Sequence, residues 1–199
     1  MPLSHETGPE AIPAIEAAYR AQGVAPAFRV AEAPGLAAVR EALEARGYDG
    51  RQPTVVKVGD AALLAALHDR PAERLPAPDA GWASVFLGEG FDPVDGAHRV
   101  EALSRSPGAV YAAVREQGRT VAVGAASFGH GWAGVHGMRT ALDRRGRGLA
   151  SQVLTALGRA IADHGVQQVF LQVEENNPAR SLYRKAGFQA AWRYRYWRR

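Results

Sequence analysis

A chain of 199 residues, 47% hydrophobic and 22% charged, is long enough for one compact domain, or for one domain with a half-sized partner. The absence of cysteine excludes disulfides, zinc–thiolate centres and a cysteine nucleophile, and no apolar run approaches the roughly 20 residues that span a bilayer. A net charge of +4 is compatible with nucleic acid, with an anionic cofactor or with a general arginine bias, so the placement of the charge has to decide.

The first residues, Met-Pro-Leu-Ser-His-Glu-Thr, lack a basic stretch followed by an apolar core. No secretory signal is read there, and a cytoplasmic location is expected. From Glu16 to Val58 the pattern is helix, Gly23-Val24, a strand containing Phe28, Glu32, a second helix, Arg46-Gly47-Tyr48 and a second strand. Pro71, Pro76 and Pro78 with Asp79-Ala80-Gly81 read as a linker, which divides the chain into residues 1–75 and 76–199. Strands are predicted at Ala109–Arg115, Thr120–Phe128 and Trp132–Thr140. The turns between them, Glu116-Gln117-Gly118-Arg119 and Gly129-His130-Gly131, are too short for anything but antiparallel pairing. The period then changes: Leu149, Val153, Leu154, Leu157 and Ile161 are spaced for a helix over 148–164, and Gly165 ends it. Val166–Glu174 is a strand. Asn177 is the expected N-cap of the next helix, with Pro178 at its first position. Gly187 closes that helix, and a final strand runs from Phe188 to about Trp197.

Gly158–Trp197 repeats the order of Glu16–Val58: helix, Gly-Val, strand, Glu, helix, Gly-aromatic, strand. The N-terminal third is therefore expected to be a degenerate duplicate of the C-terminal half. It has no Arg/Gly-rich loop before its first helix, so its expected role is structural.

That loop, Arg144-Arg145-Gly146-Arg147-Gly148-Leu149-Ala150, follows a strand and opens a helix. Unpaired N–H groups and the positive dipole end meet there, glycines allow close backbone approach, and arginines add donors, which together suit a phosphate. Gly146–Ser151 approximates the dinucleotide pattern G-x-G-x-x-G, with Glu174 as the acid. The tight hairpins before it do not supply the βαβ start that such a fold needs. Trp192–Arg199 alternates aromatic and basic residues, which fits base stacking or a half-buried final strand.

Arg145-Gly146-Arg147-Gly148-Leu149-Ala150 meets Arg/Gln-x-x-Gly-x-Gly/Ala, and Asn176–Phe188 meets N-x-x-A-x-x-L-Y-x-x-x-G-F at every fixed position. On these motifs and the surrounding element order, the chain resembles the GNAT acetyltransferase superfamily over about Trp82–Trp197, weakly before Val100. The N-terminal third looks like the degenerate partner of two-lobed members. The resemblance implies the acyl-CoA N-acyltransferase fold, an α/β (α+β) arrangement with a mixed, mostly antiparallel central sheet flanked by helices. It also implies acetyl-CoA as co-substrate. The backbone of Met138, Arg139 and Thr140 would pair with the pantetheine arm. Amides of Arg145, Gly146, Arg147, Gly148, Leu149 and Ala150 would take the pyrophosphate, and Arg144 or Arg147 the adenosine 3′-phosphate. Asn176 would hold the cofactor or order a water, and Tyr183 would protonate the departing thiolate.

A base is also required. His136, titrating near neutrality and expected to share a face with Met138 and Thr140, is one candidate; Glu174 at a strand end is the other. No metal is expected, since His98, His130 and His164 have no ligand spacing. The expected activity is direct acetyl transfer to a primary amine on a small molecule or peptide, by a monomer or homodimer with no membrane partner. Two alternatives stand beside it: a non-catalytic acyl-CoA-binding module, and a basic nucleic-acid-binding protein.

Overall fold

A computed structural model describes residues 8–199; the Met1–Thr7 stretch considered above lies outside the described residues. In chain order the elements are α1 (Ile12–Ala21), β1 (Phe28–Ala31), α2 (Ala37–Ala45), β2 (Asp49–Asp60), α3 (Ala61–Ala65), β3 (Glu73–Leu75), α4 (Ala80–Ser84) and α5 (Pro93–Ser104). They continue with β4 (Val110–Glu116), β5 (Arg119–Gly129), β6 (Trp132–Thr140), α6 (Leu149–Asp163), β7 (Gln168–Glu174), α7 (Arg180–Lys185) and β8 (Gln189–Arg198). Contacts divide the chain into two compact units. One comprises Met1–Lys57, Gln172–Pro178 and Ala190–Arg199; the other comprises Val58–Leu171 and Ala179–Gln189. The boundary expected at residue 75/76 falls inside the second unit.

In the first unit the strand order is β1-β8-β2, with residues 172–174 of β7 beside β2. β1 and β8 are antiparallel, Phe28 opposite Trp197. Ile12, Phe28, Leu43, Tyr48 and Trp197 form its core. The Tyr48 hydroxyl donates to the buried Glu16 carboxylate at 2.8 Å, which satisfies a charge that would otherwise be costly to bury. Along β8, Trp192, Tyr194 and Tyr196 make successive ring contacts at 5.8 and 5.5 Å. Tyr194 and Trp197, of opposite parity along the strand, are buried, while Trp192 is exposed.

The second unit orders its strands β7-β6-β5-β4-β3, antiparallel except for the parallel β6–β7 pair. One sheet face packs on α6 through Val153, Leu154, Leu157 and Ile161. The other carries a cluster of Trp82, Val85, Phe86, Tyr111, Val123 and Ala125. The proline-rich stretch read as linker contributes β3, an edge strand with Leu75 opposite Tyr111. Prolines are tolerated around an edge strand because one side of its ladder is unpaired. Glu73 and Asp79, on either side of Pro76 and Pro78, both bind Arg115 of β4.

Four helix endings are built alike. At Gly23, Gly47, Gly165 and Gly187 the glycine N–H bonds the carbonyl three residues back, and the following N–H bonds the carbonyl five back. All four have φ between 66° and 84°, the Schellman arrangement. At the start of α7 the expectation needs correction. Ala179 occupies the N-cap position and the helix begins at Arg180, not at Pro178. The Asn177 N–H instead closes a turn on the Glu174 carbonyl at 3.0 Å.

Gly158, in mid-α6, faces α3. Ala is the better helix former by about 1 kcal/mol, but a Cβ here would sit 2.5 Å from the Ala65 nitrogen and 2.6 Å from Leu64 Cβ. Overpacking costs about 1–3 kcal/mol, and backbone cannot yield as a side-chain tip does. Gly158→Ala is therefore expected to lower the urea midpoint of unfolding; a raised midpoint would contradict the close crossing.

Candidate active site

The β6–β7 ladder runs from Trp132 opposite Gln168 to Val135 opposite Leu171 and stops there, although β6 continues to Thr140. On its other edge β6 stays paired to β5 as far as Thr140 opposite Ala122. The second half of β6 therefore keeps one edge paired and has no ladder to β7 on the other, which suits an extended, amide-containing ligand.

Within that half the register shifts. Val123 faces Arg139 and Ala125 faces His136, so Gly137 and Met138 together oppose Gly124. Gly137 has φ 61°, the left-handed conformation of a β-bulge. The extra residue resets the alternation of side chains, which corrects one expectation: His136 does not share a face with Met138 and Thr140. Met138 Sδ lies with Val153 and Leu157 on the α6 side of Gly124. His136 and Arg139, opposite Ala125 and Val123, share the face that carries Phe86.

His136 Nε2 is 3.0 Å from Ser127 Oγ, and its ring meets Phe170 edge-on at 5.9 Å. Burial pushes its pKa below the ordinary 6.5, so it is neutral at pH 7 and able to accept a proton. Tyr183, on α7, is 7% exposed and meets Phe188 edge-on at 6.0 Å. Burial pushes its phenol up to about 12, so it stays protonated across the working range. Both residues belong to the second unit. Glu174 and Asn176 belong to the first, and both are exposed. The Glu174 carbonyl accepts the Asn177 N–H.

After β6 comes a short 3-10 turn, Leu142–Arg144, then Gly146 and Gly148 at φ 77° and 78°. Gly148 caps α6 without a side-chain hydrogen bond, and the first turn of α6 contains no acidic residue. Its N–H groups and dipole are thus not neutralised by a nearby carboxylate on the helix itself. The three arginines divide. Arg144 and Arg147 lie 3.2 and 2.9 Å from Glu116 Oε2, and Arg144 also lies 3.4 Å from Asp143. Arg145 places its Nε 3.4 Å from the Thr140 carbonyl and, among the described residues, has no carboxylate partner. Arg147 is exposed, and an ion pair of an exposed arginine is worth about 0–1 kcal/mol; Arg144 and Glu116 are both half-buried.

Sequence reasoning missed Glu116, which it had placed in a plain turn, and His68. The His68 Nε2 lies 3.6 Å from where a Gly148 Cβ would stand, and its Nδ1 accepts the Arg70 N–H at 3.0 Å. An acid opposite an arginine cluster carries no local sequence signal, and His68 is 80 residues from the loop. Among the described residues no group of three His, Asp or Glu is arranged to hold a metal ion, and no described helix is long and apolar enough to cross a membrane.

Over residues 1–197 the chain matches the family described as "Probable histone acetyltransferase Rv0428c C-terminal". A Bacillus subtilis (strain 168) protein, "Uncharacterized N-acetyltransferase YobR", is 31% identical over 114 residues, 56% of this chain and 46% of that protein. The match thus spans about half the length of the curated relative. Among solved structures, the GCN5-related N-acetyltransferase from Kribbella flavida aligns with a TM-score of 0.72 at 18% identity, over 96% of this chain and 74% of that one. A tandem GNAT protein from the clavulanic acid biosynthesis pathway aligns at 0.68 and 16%, over 92% and 66%. These likenesses show the GNAT fold, with its mixed, mostly antiparallel sheet flanked by helices.

Gly137→Ala tests the bulge. A left-handed residue with a Cβ costs about 1–2 kcal/mol, and that Cβ would stand 2.7 Å from Leu103 Cδ1. Chemical denaturation should show a loss of about that size; an unchanged midpoint would mean that the bulge does not need glycine.

Proposed function

Because the chain belongs to this family of GNAT N-acetyltransferases, we propose that it uses acetyl-CoA and transfers the acetyl group directly to a primary amine. The observation that carries the reading is one continuous path: the ladder-free edge of β6 leads into a glycine turn and an uncapped helix N-terminus. An extended amide arm suits the first part and a pyrophosphate the second. Acetyl-CoA would supply an activated acetyl thioester.

The roles of the chain's own residues follow from chemistry. Backbone groups of Met138, Arg139 and Thr140 would hold the pantetheine amides. The amides of Arg145 to Ala150 would hold the pyrophosphate. Arg145, which has no carboxylate of its own, is the readiest donor to a peripheral phosphate, ahead of Arg144 and Arg147, which would first have to leave Glu116. In the reaction a C–N bond forms and a C–S bond breaks. His136 would take the proton lost by the amine; Glu174, acting through water, is the second candidate. Tyr183 would serve the sulfur. A phenol near 12 protonates a thiolate near 8.5 only uphill, by roughly 5 kcal/mol. Its role is then to donate a hydrogen bond to charge developing on sulfur, ahead of full transfer. No cysteine is available for a cysteinyl acyl-enzyme, in keeping with direct attack.

We read the N-terminal helix–strand–helix–strand as a degenerate copy of the C-terminal one, on the strength of the four like-built helix ends. No glycine-rich loop precedes α1, so the reading is one cofactor site per chain.

Calorimetry with acetyl-CoA, followed by thiol release across a panel of amines, tests the activity. Binding heat and amine-dependent thiol release are expected, and no heat with acetyl-CoA would end the reading. Tyr183→Phe should lower kcat by about 10²–10³-fold, the usual cost of one such donor, with little change in acetyl-CoA affinity. An unchanged kcat would remove Tyr183 from the chemistry. If His136 is the base, the acid limb of kcat/KM lies below pH 6.5, in the direction of its shift. His136→Gln should abolish that limb, and a limb that survives it would transfer the role to another group.

A further inference from the structure

Arg139 is the most unusual charged side chain of the second unit. Only 19% of it is exposed. Its guanidinium sits over the Phe91 ring at 4.0 Å and lies 5.5 Å from the Phe86 ring. The nearest carboxylate, Asp95, is 3.9 Å away, beyond hydrogen-bond range, and is already engaged at 2.6 Å by the Nε of Arg99. Among the described residues the Arg139 guanidinium makes no hydrogen bond, whereas the family role read for this position uses its backbone alone. Burial, and the neighbouring charges of Arg99 and Arg145, pull its pKa below the ordinary value, with Asp95 opposing. None of its nitrogens is among the fully buried atoms without a partner, so the guanidinium donors open toward solvent and are available to an anion.

The bulge decides what that anion is. Because Gly137 and Met138 share one position of the ladder, Arg139 comes to the same face as His136. Three residues of strand put the two backbone positions at most about 10 Å apart, so one acceptor molecule on that face can meet both side chains. Aromatic rings cover part of the guanidinium, and a guanidinium donates in its own plane, which suits a planar, two-oxygen acceptor.

We propose that Arg139 is the acceptor-recognition residue, binding a carboxylate on the acceptor, so that the acceptor is an amine carrying a carboxyl group close to its nitrogen, of amino-acid type. The proposal rests on the acetyltransferase reading above. It separates this chain from an enzyme acting on lysine side chains within a polypeptide, where no carboxylate lies near the reacting amine.

The test compares matched pairs: glycine with glycinamide and β-alanine with β-alaninamide, alongside a lysine-containing peptide blocked at both ends. Thiol release is followed, and calorimetry with acetyl-CoA is run on every protein. The wild type should favour each free acid over its amide by about 10- to 100-fold in kcat/KM, the range for a lost charged hydrogen bond. This preference would run against the greater fraction of neutral amine in the amides. Arg139→Gln should collapse the preference, chiefly through KM of the acid, and Arg139→Lys should restore part of it. Both variants should keep acetyl-CoA binding, which shows that they fold. Absent acetyl-CoA binding by the wild type would defeat this inference together with the activity. Acetyl-CoA-dependent turnover with no preference for the acids, with the blocked peptide preferred, or with Arg139→Gln impairing acid and amide alike, would overturn this inference only.

Discussion

One extra residue in β6 controls the chemistry around it. A strand alternates its faces by geometry, and any functional assignment along it assumes an unbroken phase. By putting Gly137 and Met138 opposite Gly124, the bulge breaks that phase where the β7 ladder has already ended. The sulfur of Met138 joins the α6 side of the sheet, and His136 and Arg139 are left together on the other. Glycine stands on both sides of the irregularity: Gly137 takes the left-handed conformation, and Gly124 leaves room for Met138, Val153 and Leu157.

Much of the second unit was legible because its punctuation is strong. Glycine turns marked β4, β5 and β6, a clear 3.6-residue period marked α6, and Gly165 and Gly187 marked two helix ends. The phosphate-type loop and the Asn176–Phe188 phrase were legible as motifs, and the family match agrees with them. Residues 61–104 were not legible. α3 and α4 have five residues each, too few to display a helical period. Their caps were nevertheless available: Asp60, Asp79 and Asp92 each accept a backbone N–H at a helix start, and Asp92 is followed by proline. The phase of His136 was lost for a similar reason. An isolated glycine within a strand signals a bulge, and Gly137 went unweighed. The environment of Arg139 could not be read, because Phe86, Phe91 and Asp95 reach it only through tertiary packing.

The electrostatics of the glycine loop show how weak and strong effects combine. Glu116 holds the exposed Arg147 through a contact worth little by itself, and Glu116 and Asp143 flank the half-buried Arg144. They lower the mutual repulsion of the cluster, while the first turn of α6 itself carries no acid. A loop organised in this way still presents backbone donors to a ligand. Arg139 is the opposite case: only 19% of its side chain is exposed, and its one carboxylate neighbour stands 3.9 Å away, beyond hydrogen-bond range.

The strand order of the first unit has a consequence for how the chain comes to be folded. β8 lies between β1 and β2, and Phe28 pairs opposite Trp197. The two strands made early in synthesis are therefore neighbours of one made near its finish, not of each other. As the polypeptide emerges from the ribosome, β1 and β2 expose hydrogen-bonding edges that have no lasting partner until residues 189–198 arrive. Loop closure over that separation is slow, and open edges invite mispairing. The two glycine-locked helix ends at Gly23 and Gly47, which need only neighbouring residues, are the structure this region can hold while it waits.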